Sequence, residues 1–176
     1  KTLSFSDWRT FSETLENMNQ RDFLISRILV QGEQRLSQAL NLVIDQIDFT
    51  NNTITYQLKD KVEAIQYEAS FMLELKNYIE STAEIRKDHH LVFLTRKGKS
   101  VTRLRLNHAF NKACEKAGTK KITPDSLRGI YRMFKEQGYK DDAIMSSKQN
   151  RRNIFLEKKE FEQKHEEGQT MFENII

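Results

Sequence analysis

Residues 33–42 read Glu33-Gln34-Arg35-Leu36-Ser37-Gln38-Ala39-Leu40-Asn41-Leu42, an arginine followed at once by a short apolar helical pattern. Two other motifs come later in the chain, Leu58-Lys59-Asp60-Lys61 and Ile122-Thr123-Pro124-Asp125-Ser126-Leu127-Arg128-Gly129. The first of these predicts the tip of a β-hairpin. The second predicts a helix start, because Thr is a good N-cap and Pro fits the first helical position. The motifs thus place Arg35 at the start of one helix, Lys59 at a hairpin tip and Arg128 near the start of another helix.

Helical periodicity surrounds these motifs on both sides of one small sheet. We expect helices over about residues 4–19, 21–31, 37–43, 69–81, 104–117 and 123–138, with a further turn or two over 141–146. The helix over 21–31 is apolar nearly all round, which predicts that it is buried. Alternating strands over 53–58 and 63–67 flank the hairpin tip. The predicted fold class is α+β, mainly helical, with one small antiparallel β-sheet.

The composition indicates one domain with its own core. The chain has 176 residues, 38% of them hydrophobic, and only 1 Pro and 6 Gly, which argues against a long flexible linker. The single Cys114 fits a reducing compartment, and no apolar run approaches the roughly 18 residues needed to cross a bilayer. No signal peptide opens the sequence, whose abrupt start suggests a domain of a longer protein. We expect a cytoplasmic domain over 1–153 followed by an amphipathic tail over 154–176.

Basic residues are concentrated in the second half of the chain. The net charge is only +4, but residues 86–152 carry 18 Lys and Arg against 6 Asp and Glu, whereas residues 1–85 carry 8 against 13. A region this basic is expected of a surface that binds a polyanion, and the alternative is a solvated Lys-rich surface. The candidate contacts to such a polyanion in this region are Lys97, Lys99, Arg103, Arg105, Lys121 and Arg132.

Taken together, the three motifs resemble the catalytic domain of the tyrosine recombinases, the phage integrase family. The family pattern is G-L-R-x-S-E-L-L-x-L, then a lysine on a β-hairpin, then T-P-H-x-L-R-H, and the resemblance covers roughly residues 3–145. It implies double-stranded DNA as the partner, on the nucleoid or a mobile element. It also implies strand breakage and rejoining through a phosphotyrosine, with no metal or nucleotide cofactor.

The resemblance assigns a role to each of the three cations. Arg35 and Arg128 would bind the non-bridging oxygens of one phosphate, which guanidinium groups match in a planar, bidentate way. Their guanidinium groups should therefore lie within the span of a single phosphate. Lys59 would protonate the departing 5′-oxygen, with Lys61 as the alternative, because the register of the hairpin is not fixed by sequence.

The chain departs from the family pattern at three places in these motifs. Asp125 stands where the family most often has His, and a carboxylate there would repel a phosphate unless it were protonated. Gln38 replaces an acidic residue that would orient the first arginine. The family's L-G-H motif should fall near Asn150, where the sequence reads Lys148-Gln149-Asn150. These departures predict a damaged active site.

The nucleophile of the family is the most serious departure. No tyrosine follows Tyr139, and the region where the nucleophile belongs reads Ile154-Phe155-Leu156-Glu157-Lys158-Lys159-Glu160-Phe161. Phe155 or Phe161 could take the tyrosine's place in packing, but neither has a hydroxyl. We therefore expect a recombinase fold that binds DNA without cleaving it, acting as an accessory factor or pseudoenzyme. An active tyrosine recombinase is the alternative, and a helical scaffold with a basic face is the third.

Two further expectations concern metals and the tail. The adjacent His89 and His90 lack metal-ligand spacing, so no metal site is predicted. The tail is too apolar to trail in solvent, which predicts that it packs against a hydrophobic cleft of its own domain or of another copy. The apolar residues on which this prediction rests are Phe155, Phe161, Met171, Phe172, Ile175 and Ile176.

Overall fold

A computed structural model describes residues 3–148, together with Lys159 and Gln163. The α-helices of residues 3–148 are α1 (Phe5–Met18), α2 (Gln20–Gly32), α3 (Leu36–Leu40), α4 (Ala69–Ser81), α5 (Ala83–Arg86), α6 (Arg103–Ala117), α7 (Ile130–Glu136) and α8 (Asp141–Met145). Three strands, β1 (Ile47–Asp48), β2 (Thr53–Gln57) and β3 (Val62–Gln66), lie between α3 and α4. Short 3₁₀ helices span Ile44–Gln46 and Pro124–Leu127. None of the described helices is long and apolar enough to cross a membrane.

The sheet is antiparallel, in the order β1-β2-β3. Ile54 pairs with Ile65, and Ile54 and Tyr56 are buried, so β2 turns one face to the core. The backbone N–H of Leu58 donates to the carbonyl of Lys61 at 2.8 Å and closes a tight hairpin tip. The prediction of a mainly helical fold with one small antiparallel sheet is confirmed.

Helix α2 lies at the centre of the fold. Asn19 caps it by accepting from the backbone N–H of Arg21 at 2.9 Å. Every residue from Arg21 to Val30 is buried, so the prediction of a buried helix here is confirmed. At the other end, a Cβ added to Gly32 would collide with the hydroxyl of Tyr67, so glycine permits close packing of α2 against the segment that follows β3.

The prediction of one helix from Thr123-Pro124 to about residue 138 is wrong. The chain instead forms the 3₁₀ helix Pro124–Leu127, closed by a capping box between Thr123 and Ser126, and α7 starts only at Ile130. Gly129 separates the two with φ 86°, a left-handed conformation that glycine adopts without steric cost. The interruption leaves Arg128 in extended conformation at the junction of the two helices.

Polar contacts attach the end of α8 to the helices around it. The indole N–H of Trp8 donates to the carbonyl of Ile144 at 3.3 Å. The hydroxyl of Ser147 donates to the Glu74 carboxyl, and burial raises the pKa of Glu74 to about 7. These contacts fix the course of the chain up to Lys148. The predicted tail over 154–176, apart from Lys159 and Gln163, lies outside the described residues, and so does Asn150.

Candidate nucleic-acid interface

Arg35 stands at the N-cap of α3 with extended backbone angles. Leu36, Ala39 and Leu40 of α3 are buried, so this short helix is fixed to the core by its apolar face. The arginine side chain makes no capping hydrogen bond and is exposed. The local sequence thus holds the backbone of Arg35 rigidly while its guanidinium group reaches solvent.

Arg128 is held at the surface by a different local structure. Leu127 and Ile130 are buried on either side of it, at 0% and 6% exposure, and they anchor the bend between the 3₁₀ helix and α7. Arg128 itself is exposed. The break at Gly129 therefore turns one residue outward between two core anchors.

Arg35 and Arg128 line the same cavity of about 360 Å³, which we call the arginine cleft. Leu58 and Glu63 of the hairpin also line it. Residues 93 positions apart in sequence therefore line one surface depression. Lys59 is exposed at the hairpin tip, next to Leu58 in the chain. The catalytic roles of these three residues stay predictions.

The two divergent positions within the described residues behave differently. Gln38 lines the arginine cleft, and its side-chain amide donates to the carbonyl of Gln57 at 3.3 Å, which ties α3 to β2. Asp125 is exposed in the 3₁₀ helix, where its backbone carbonyl accepts from the N–H of Arg128 at 3.4 Å. Gln38 thus supports the sheet beside the cleft, whereas Asp125 shapes the turn that carries Arg128.

Glu33 is a residue of the cleft that the sequence motifs do not single out. It ends α2 in the left-handed conformation, φ 51° and ψ 26°, which costs a side-chain-bearing residue about 1–2 kcal/mol. Its carboxylate forms an ion pair of 2.6 Å with Arg132 of α7. Its place in the motif is where the family pattern G-L-R has glycine, and that mismatch is the signal in the sequence.

Glu33 and Arg128 also line a second cavity, of about 410 Å³, which we call the outer cavity. Arg132 and Glu136 of α7 line it as well. The outer cavity and the arginine cleft therefore share Glu33 and Arg128. Cations on α7 continue the surface that starts at Arg35.

A hydrogen-bonded relay holds α7 against α2 beside the cleft. The side-chain amide of Gln31 donates to the Tyr131 hydroxyl at 3.3 Å, and this hydroxyl donates to Asp141. Burial raises the pKa of Tyr131 to about 12, so its hydroxyl stays protonated near neutral pH. Asp141 also accepts from Lys135 at 2.8 Å. The relay positions the start of α7 relative to the end of α2.

The candidate DNA contacts Lys97, Lys99, Arg103, Arg105, Lys121 and Arg132 are all exposed. Lys97 and Lys99 flank Gly98 in a tight turn, and Arg103 and Arg105 lie in the first turn of α6. Lys121 lines a further cavity, of about 570 Å³, that reaches Arg128. Lys121 and Arg132 thus border cavities that include Arg128, whereas the other four cations stand on separate exposed turns.

Comparison with known proteins shows which family the chain matches. The model of the phage integrase family matches residues 1–166. The virulence plasmid integrase pGP7-D of Chlamydia muridarum (strain MoPn / Nigg) is 32% identical over 164 residues, which cover 85% of this chain and 52% of that protein. The virulence plasmid integrase pGP8-D of the same organism is 36% identical over 143 residues, covering 77% of this chain and 42% of that protein. The chain spans about half the length of these curated relatives.

Solved structures show the same fold. The XerA recombinase superimposes with a TM-score of 0.68 at 19% identity, over 82% of this chain and 53% of that one. The XerH site-specific recombinase bound to its difH substrate gives a TM-score of 0.63 at 22% identity, over 77% of this chain and 42% of that one. The family resemblance suggested by the three motifs is confirmed: the chain belongs to the phage integrase family, the tyrosine recombinases.

Proposed function

We propose that this recombinase domain binds duplex DNA through its phosphates and, as it stands, does not cleave it. The observation that carries the proposal is the arginine cleft, where Arg35 and Arg128 face one cavity beside an exposed basic surface. The protein would act as an accessory factor on the DNA of a mobile element, associated with the nucleoid. Plasmid integrases among its relatives support that setting.

The chemistry of the cleft supports a phosphate as its ligand. Guanidinium groups present paired N–H donors that match two phosphate oxygens at once, and Arg35 and Arg128 are both exposed to solvent. Lys121 and Arg132 extend the positive surface on either side of Arg128. The sequence offers no tyrosine after Tyr139 to attack that phosphate, which supports binding without cleavage.

An active tyrosine recombinase is the second candidate function. It is favoured by Lys59, which stands at a two-residue hairpin tip next to the cleft, where a general acid could reach a bound phosphate. A nucleophile supplied by another subunit would complete such a site. Covalent trapping on a nicked duplex separates the two candidate functions. A protein–DNA adduct that accumulates and resists denaturant establishes cleavage. If no such adduct forms, the binding role is supported.

Duplex binding is expected to weaken steeply as salt rises. If the basic surface and the cleft together neutralise about five phosphates, the plot of log K against log salt should have a slope of about −4.5. A gel-shift titration of a duplex of about 30 base pairs, from about 50 mM to about 200 mM salt, measures this slope. Binding that does not change with salt, or no binding at about 50 mM, would contradict the proposal.

We also propose that the segment over 154–176 packs against a hydrophobic cleft, either of its own domain or of another copy of the chain. Its apolar residues alternate with Glu and Lys, a pattern that suits a helix seeking a groove. Truncation after Asn153 is expected to lower the mass measured by light scattering or to lower the melting temperature. An unchanged mass together with an unchanged melting temperature would show that the tail has neither role.

A further inference from the structure

Glu33 combines three properties that its packing does not explain. It keeps a left-handed backbone conformation, φ 51°, that favours glycine. It bears a negative charge in the cleft that Arg35 and Arg128 also line. It is paired with Arg132, one of the cations expected to contact DNA. A charged residue that occupies a strained backbone conformation next to a binding surface indicates that its side chain takes part in binding at that surface.

The ion pair between Glu33 and Arg132 is short but accessible. Nη2 of Arg132 lies 2.6 Å from the carboxylate of Glu33, and the two side chains are 71% and 30% exposed. Ion pairs whose side chains are this exposed to water are weak, so a phosphate can replace the carboxylate at little cost in free energy. The contact also joins the end of α2 to α7, the two elements that border the outer cavity.

We propose that Glu33 is an internal competitor of DNA phosphate, holding Arg132 through an ion pair that must open when DNA binds. This inference rests on the proposed function and adds a regulatory contact to the same surface. Glu33 and Arg128 line both cavities. The Glu33 carboxylate therefore occupies the region that a phosphate bound between Arg128 and Arg132 would need.

Removing the carboxylate should therefore strengthen DNA binding. Glu33→Gln keeps the size of the side chain but releases Arg132, and we expect the duplex to bind about threefold to fivefold more tightly at about 50 mM salt. The slope of log K against log salt should stay unchanged, because Arg132 neutralises the same phosphate in both chains once its ion pair has opened. The matched control is Glu136→Gln, which removes a carboxylate from the same outer cavity and should change affinity by about twofold or less.

The dependence on Arg132 separates a specific contact from a general effect of charge. In an Arg132→Ala background, the gain from Glu33→Gln should fall to the level of the Glu136→Gln control. Glu33→Gly should bind as tightly as Glu33→Gln while melting at a higher temperature, which separates relief of backbone strain from loss of the charge. A gain that persists in the Arg132→Ala background, or one no larger than the control, would overturn the inference.

The outcomes also distinguish this inference from the function on which it rests. If the unsubstituted chain binds duplex and Glu33→Gln adds nothing, the competitor role fails and the proposed function stands. If only Glu33→Gln binds measurably, the competitor role is supported in its strongest form. If neither binds at about 50 mM salt, both proposals fail.

Discussion

Replacing Arg27 with alanine is expected to lower the free energy of unfolding by about 3–5 kcal/mol, and the melting temperature by roughly 10 °C. Arg27 is 1% exposed. Its Nε donates to the carbonyl of Met145 at 3.0 Å, and its guanidinium carbon lies 4.5 Å and 4.1 Å from the ring centroids of Trp8 and Phe23. The alanine leaves a cavity and a buried carbonyl that loses this donor, and both effects destabilise the fold.

Thermal unfolding of two further variants checks the cause. Arg27→Met fills most of the space with apolar atoms and should cost only about 1–2 kcal/mol, because the lost donors to Met145 and Ser12 are then the main defect. Arg35→Ala removes an arginine that is exposed and should change stability by about 0.5 kcal/mol or less. A loss in Arg27→Ala no larger than that in Arg35→Ala would show that the buried guanidinium contributes nothing to folding.

Arg27 also marks the limit of what the sequence predicts about the fold. The apolar pattern of α2 predicts a buried helix, and the whole stretch from Arg21 to Val30 is buried. The pattern does not predict that charged members of α2 are buried too, because the acceptor for Arg27 lies 118 residues away in the chain. Such pairs form only when α1, α2 and α8 pack, so periodicity within one helix cannot reveal them.

The sequence likewise predicts one part of the candidate site and not the rest. The order of the motifs predicts that Arg35 and Arg128 converge, and both line the arginine cleft. The break after Arg128 was missed because Thr123-Pro124 is an ordinary helix start, and a single glycine is tolerated inside many helices. Glu33 was missed because its conformation depends on how α2 ends, and its partner Arg132 lies 99 residues further along the chain.

The other prediction with a large expected effect concerns the arginine cleft, and it is about the energetic coupling between Arg35 and Arg128 in DNA binding. Arg35→Ala and Arg128→Ala should each weaken duplex binding about 10-fold to 30-fold, the range for loss of a charge-assisted hydrogen-bonded contact. If both guanidinium groups hold the same phosphate, removing one loosens the hold of the other. The double variant should then lose only about 30-fold to 50-fold, short of the product of the two single losses, which is about 100-fold or more.

A second pair of substitutions gives the additive reference for this measurement. Arg103 is exposed on the first turn of α6 and does not line the arginine cleft, so its contact with DNA would involve a different phosphate. The losses in Arg35→Ala and Arg103→Ala should therefore multiply in the double variant. Arg35→Lys and Arg128→Lys keep the charge but lose the paired donors, and each should still weaken binding by roughly fivefold. Equilibrium titrations at one fixed salt concentration measure all of these constants. Multiplicative losses in the Arg35 and Arg128 pair, equal to those of the reference pair, would mean that the two arginines bind separate phosphates and that the cleft is not a single-phosphate site.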